Sequence, residues 1–145
     1  MNNSSISTID TVTRVQLRAA KIPWIGWLAH HCWFVVQMPT ALPQRWEVWQ
    51  TRNLTAACWG HLYYNLLQAT AGVGNGESWL LAEWTGSAAQ QLAQVLTQSP
   101  TAYPYCFQYR YWPGPNSNTF VRWILRESGV DHSLPWQSIG KNFLQ

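Results

Sequence analysis

Ser117, His31 and Glu47 are the residues whose types could act together, as nucleophile, base and orienting group. Ser117 lies in Trp112-Pro113-Gly114-Pro115-Asn116-Ser117-Asn118-Thr119-Phe120, where a rigid turn delivers two amides and a hydroxyl to the start of an expected helix. Pro113 and Pro115 fix φ, and Pro115 steers Gly114 away from helical geometry, so the chain enters the helix in a restricted pose. First-turn amides and the helix dipole would stabilise negative charge beside Ser117, an effect of about 0.3–1 kcal/mol at an exposed site. Asn116 and Asn118 would shape that turn or donate hydrogen bonds. All three polar residues are also favoured helix N-caps, which explains one of them without any function. His31 opens an apolar stretch, where a hydrogen-bonded core histidine is an equally good account. Glu47, one of six acidic residues, is flanked by Trp46 and Trp49 and either faces solvent or is kept for a partner. If the strands carrying His31 and Glu47 pair beside the helix start, the three groups meet in the arrangement that acyl transfer needs.

The elements that must position these groups are legible in outline. Residues 11–20 alternate weakly in the manner of a strand. His31–Gln37, rich in aromatic and β-branched residues, reads as a strand buried on both faces. Arg45–Thr51 alternates, which predicts an antiparallel hairpin with the preceding strand. His61–Leu67 reads as another strand or a strand-to-loop stretch, Ser78–Trp84 as a strand, and Phe107–Trp112 as one leading into the proline turn. Ala88–Gln98 carries a helical stripe, with Ser87 as N-cap, Gln90 completing a capping box and Pro100 ending the helix. After Ser117, Phe120, Trp123 and Ile124, with Val121 and Leu125 alongside, form an apolar stripe against Arg122, Arg126 and Glu127, and Gly129 stops the segment. The expected architecture is α+β, a small antiparallel sheet with about two packed helices. Residues 1–10 are expected to form a flexible tail and 11–145 a single globular domain. Residues 134–144 read as an irregular tail.

Composition excludes several function classes. The net charge of +3 and nine scattered basic residues leave no footprint for a nucleic-acid partner. Three cysteines without a C-x-x-C pair suggest neither a disulfide framework nor a zinc site, so buried, reduced thiols and no metal are expected. Ala71–Gly76 is glycine-rich but lacks the Lys and Ser or Thr of a phosphate loop, and no cofactor motif is visible. The apolar stretch Ile22–Met38 is interrupted by Pro23, His30, His31 and Gln37, which argues against a transmembrane segment. With no secretory signal in view, a cytoplasmic location is the expectation. Eleven tryptophans, in a chain 14% aromatic and 10% charged, promise both core and binding surface.

His31-Cys32-Trp33-Phe34-Val35, Tyr103-Pro104-Tyr105, the Trp112–Phe120 motif and Ile139-Gly140-Lys141-Asn142-Phe143-Leu144 together resemble an uncharacterised bacterial domain family. Its signature is W-P-G-P-N-S-N-T-F followed by I-G-K-D-F, and this chain carries Asn142 where that pattern has Asp. The family has no established activity, so the resemblance implies membership and no mechanism. More remotely, Asn116-Ser117-Asn118-Thr119-Phe120 resembles the N-C-x-H-F type motif of circularly permuted papain-like domains such as the NlpC-type peptidases. That resemblance implies a histidine on an early strand and a polar partner on the next, with serine here replacing cysteine. A hydroxyl ionises far less readily than a thiol, so a serine in such a site needs a stronger base or is inactive. The residues therefore point to a hydrolase or acyl-transfer site built from His31, Glu47 and Ser117, taking a small acyl or peptide substrate. The alternative is a non-catalytic, tryptophan-rich module for a protein partner or apolar ligand, with Arg110, Trp112 and Lys141 as contacts around a degenerate pocket.

Overall fold

A computed structural model of the chain describes residues 12–143, so the expected tail at 1–10 lies outside the described residues. In chain order the elements are β1 (Arg14–Lys21), β2 (His30–Gln37), β3 (Gln44–Thr55), β4 (Cys58–Tyr64), β5 (Ser78–Trp84), α1 (Gly86–Ala102) and α2 (Ser117–Glu127). The strands form one antiparallel sheet in the order β4-β3-β2-β1-β5, an α+β fold as expected.

Register explains how the two faces of the sheet divide. Val36 lies opposite Val15, Phe34 opposite Leu17 and Cys32 opposite Ala19, so the two-residue alternation of a strand places these six side chains on one face. The helices cover that face, with Ala89, Leu92 and Leu96 of α1 and Phe120, Val121, Ile124 and Leu125 of α2 in the same apolar cluster. On the opposite face Ala20, Trp33 and Val35 are covered by Ala69 and Val73 from the β4–β5 connection, and Trp33 donates its indole N–H to Ala69 O at 2.9 Å. β2 is thus buried on both sides, as its composition predicts. Among the described residues no helix is long and apolar enough to cross a membrane; Ile22–Met38 is a turn followed by β2.

Several local expectations are corrected. Phe107–Trp112 is not a strand: Cys106 O receives His61 N at 2.6 Å, after which Arg110 N closes back on Pro115 O at 2.8 Å and the chain coils into the turn. The strand expected at His61–Leu67 is Cys58–Tyr64, because Asn65 takes a positive φ of 53° and its side chain accepts from Arg45 N at 2.7 Å. Thr85 rather than Ser87 caps α1, and its side chain makes no capping bond. One residue separates β5 from α1, so the corner falls on Gly86, whose φ of 64° leaves Ser87 already inside the helix. Pro100 does not end α1, which continues to Ala102. The carbonyl that a proline nitrogen cannot reach, Leu96 O, is taken instead by Ser99 Oγ at 2.6 Å.

The start of α2 is held from outside. Asn116 is the N-cap, accepting from the amides of Asn118 and Thr119, while Thr119 Oγ1 accepts from Asn116 N, a reciprocal capping box. Two further bonds tie this turn to the segment beyond α2 and one ties it to β2: Thr119 Oγ1 donates to Gly140 O at 2.7 Å, and Asn118 Nδ2 donates to Ile139 O at 2.9 Å and to His30 O at 2.8 Å. Gly140 sits at a φ of 97°, and a Cβ there would collide with the Asn116 side-chain amide. The N-S-N-T and I-G-K motifs, read separately in the sequence, are two halves of one packed junction. Gly140→Ala should therefore lose more than about 2 kcal/mol of stability, from left-handed strain plus overpacking, measured as a shifted urea midpoint at unchanged slope.

Candidate functional site

The ladder between β2 and β3 pairs Val36 with Gln44, Val35 with Arg45 and Phe34 with Trp46. Because Val35 faces Arg45 across it, His31, Trp33 and Val35 share a face with Arg45, Glu47 and Trp49. Side chains take over where this ladder stops. His31 Nε2 donates to Glu47 Oε2 at 2.7 Å, and Arg45 Nη2 donates to the same oxygen at 2.8 Å. The His31 ring stacks on Trp33 at 5.5 Å and meets Trp49 edge-on at 4.9 Å, which fixes its orientation. The Arg45 guanidinium lies 4.0 Å from the Trp33 ring centre and its other arm donates to Gln68 O and Ala71 O.

Glu47 is fully buried. Burial alone would raise its pKa, but the His31 hydrogen bond and the charges of His31 and Arg45 outweigh this and hold the carboxyl below its ordinary range. An ionised Glu47 requires the proton on His31 Nε2, which leaves Nδ1 as the basic ring nitrogen. Of the two options for Glu47, the structure takes the partner and not the solvent.

A cleft of about 230 Å3 opens beside this network, lined by His31 and Ser117 with Ile22, Val48, Trp49 and Tyr109 among its other walls. The early imidazole and the late hydroxyl thus share one hollow. No hydrogen bond joins Ser117 Oγ to the His31 ring among the bonds of the described residues. Asn116 and Asn118 stand on either side of Ser117 in structural roles, one capping the helix and the other tethering it to β2 and residue 139. The capping box claims the amides of Asn116, Asn118 and Thr119, and leaves that of Ser117 unclaimed in the first turn. Asn118 Oδ1 is buried without a partner.

The remaining sequence-derived candidates lie elsewhere. Trp112 is 72% exposed and lines a separate groove with Trp136, and Arg110 is exposed beside the proline turn. Lys141 is half-buried, its ammonium donating to Leu134 O and Pro135 O, so its charge fastens the irregular segment after α2. All three cysteines are free and buried; burial pushes Cys32 up to about 12 and Cys106 up to about 11, and Cys32 faces the helices rather than the cleft. Among the described residues no group of three His, Cys, Asp or Glu side chains is placed to hold a metal.

Arg45, Tyr109 and Tyr111 were not marked by the sequence as site residues. Arg45 had a signal, since it precedes Glu47 by two positions on a strand and must share its face. The tyrosines had none: they reach the cleft wall because the 107–112 stretch coils instead of pairing. Burial, and to a lesser degree the neighbouring tyrosine, raises the Tyr109 pKa, and burial raises that of Tyr111, so both remain protonated hydrogen-bond donors.

The sheet, the junction at Gly140 and the cleft all fall within residues 12–143, the span that matches one protein family. The chain belongs to DUF3750, a family of proteins of unknown function. Neither a curated protein nor a solved structure matches it. The DUF3750 match therefore covers the sheet, both helices and every residue of the candidate site without attaching an activity to them.

The Arg45–Glu47–His31 network has a measurable signature. Glu47→Gln leaves Arg45 buried without its counter-ion and should cost about 3–5 kcal/mol in urea denaturation at neutral pH. Because the folded-state pKa of Glu47 is depressed from 4.5, its contribution is present above that value and is lost as pH falls through the lower folded value. Glu47→Gln should flatten the stability profile in that acid window while leaving the slope above it unchanged.

Proposed function

We propose that the cleft carries out acyl transfer or hydrolysis, with Ser117 as nucleophile, His31 as general base and Glu47 as the group that orients the imidazole and stabilises the imidazolium formed during reaction. The observation that supports this reading is that His31 and Ser117 line the same cleft, with Nε2 of His31 held on a buried, ionised carboxylate. His31 Nδ1 accepts the Ser117 proton as Oγ attacks the substrate carbonyl carbon. The Ser117 amide at the head of α2 supports the resulting oxyanion. Collapse breaks the bond to the leaving group, which departs with the proton from His31, and the acyl group stays on Ser117. Water, deprotonated by His31, then releases the acid, or an acceptor nucleophile takes the acyl group in its place. The apolar walls from Ile22, Val48 and Trp49 suit a small acyl or peptide substrate over a charged one.

A second reading is a binding module in which the cleft holds an apolar ligand without turnover. It is favoured by Arg45, which shares the Glu47 oxygen with His31 and draws charge from it, and by the absence of a bond from His31 to Ser117.

A fluorophosphonate probe separates the two. Labelling is expected on wild type, none on Ser117→Ala, and a rate at least about 100-fold slower on His31→Ala; labelling unchanged in Ser117→Ala, or none on wild type, rejects the nucleophile. Ser117→Cys supplies an independent check. Placed beside the imidazole, its thiol should alkylate with iodoacetamide at neutral pH, whereas the three native thiols, all buried, should not.

A further inference from the structure

The four tryptophans that are more than half exposed lie on three segments, two of which also line the cleft. Trp24 is 99% and Trp27 71% exposed on the β1–β2 turn, Trp112 is 72% exposed on the proline turn, and Trp136 is 64% exposed beyond α2. Ile22 and Pro23, from the first turn, line the cleft together with Tyr111, which adjoins Trp112. Trp112 and Trp136 line a groove together, and Gln137 O receives His30 N at 2.9 Å, which fixes the Trp136 segment at the base of the β1–β2 turn.

These indoles are held out by ordered backbone. Ile22 N bonds to Ala29 O, and Leu28 N and Ala29 N bond to Ile25 O, so the turn is closed and internally bonded. Trp24 takes a φ of 73°, a conformation that non-glycine residues rarely adopt and that here turns its side chain outward. A large amphipathic ring kept exposed in this way suits a medium with an apolar interior and a polar boundary, which is the setting of interfacial tryptophans.

Charge around the opening selects the kind of surface. No Asp or Glu occurs between residues 11 and 46, between 84 and 126, or between 132 and 145, the segments that supply the four indoles. Lys21 and Arg110 are exposed within them. Glu77, which precedes the β5 residue paired with Ala20, is the exposed carboxylate that the strand pairing brings to this end. Glu83 is bonded to Gln16 and Arg14 towards the opposite end of β1, Glu127 ends α2 at the far end from Ser117, and Asp131 lies beyond it.

We propose that this tryptophan-rimmed end docks on an anionic lipid bilayer. The indoles of Trp24, Trp27, Trp112 and Trp136 enter the headgroup boundary, while Lys21 and Arg110 face lipid phosphates. The cleft then opens toward the membrane. The inference rests on exposure, backbone order and charge, and it stands whether or not Ser117 is a nucleophile.

Co-sedimentation with vesicles tests it. The full chain should bind mixed phosphatidylcholine and phosphatidylglycerol vesicles, bind pure phosphatidylcholine more weakly, and lose about tenfold in affinity for the mixed vesicles in Trp24→Ala/Trp27→Ala. Lys21→Ala should lose about fivefold on the mixed vesicles alone. Brominated lipids should quench wild-type tryptophan fluorescence, and less so that of the double variant. Unchanged circular dichroism would assign its loss to the surface rather than to unfolding. Absence of sedimentation, equal binding by the double variant, or a stable protein dimer broken by that variant without lipid binding would overturn the proposal. Ser117→Ala should bind vesicles like wild type, so failed labelling with intact sedimentation removes the acyl-transfer reading alone.

Discussion

One carboxylate oxygen, Glu47 Oε2, receives both the His31 imidazole and the Arg45 guanidinium in a place that water does not reach. Burying these groups is costly, and their attraction offsets the cost only because each is oriented by further contacts. Arg45 is held by two carbonyls and the Trp33 face, and His31 by Trp33 and Trp49. The network stands where the backbone ladder of β2 and β3 has ended, so side chains there do what main-chain bonds do elsewhere in the sheet. The same contacts that stabilise the strand pair also set the tautomer of His31.

A second constraint places the hydroxyl. Ser117 is carried by a helix start in which Asn116 and Thr119 satisfy the amides of residues 116, 118 and 119, and whose side chains reach to residues 139 and 140 and across to His30. Asn118 thus connects the beginning of α2 to the beginning of β2, the element that carries the imidazole. The two halves of the cleft are coupled by one amide side chain, independently of anything the cleft binds.

Much of this was legible in the sequence, and the reasons are local. β5 spans Ser78–Trp84, the stretch read as a strand, and α2 obeys the stripe from Phe120 to Leu125 and the stop at Gly129. That His31 and Ser117 line one cleft was a conditional expectation, since the sequence places each at the start of its own element but not the two elements side by side. The misreadings arose where long-range contacts overrule local pattern. The 107–112 stretch has the composition of a strand but bonds locally instead, Gln108 N to Tyr105 O and Arg110 N to Pro115 O. Pro100 reads as a terminator, yet Ser99 supplies the missing donor. Lys141 reads as a surface charge, while its partners are two carbonyls visible only in the folded chain. The tryptophan excess resolves both ways: Trp33, Trp46 and Trp123 are core, whereas Trp24, Trp27, Trp112 and Trp136 are surface.

The closure of Gly140 against Asn116 also imposes an order in time. His31, Glu47 and Ser117 are all translated before residue 140, and the turn that carries the serine lacks its outside bonds until that glycine has emerged. A nascent chain paused after α2 would hold every chemically interesting group and still lack the clamp that presents them. The outside bonds that hold the head of α2 are therefore available only once residues 139 and 140 have been translated.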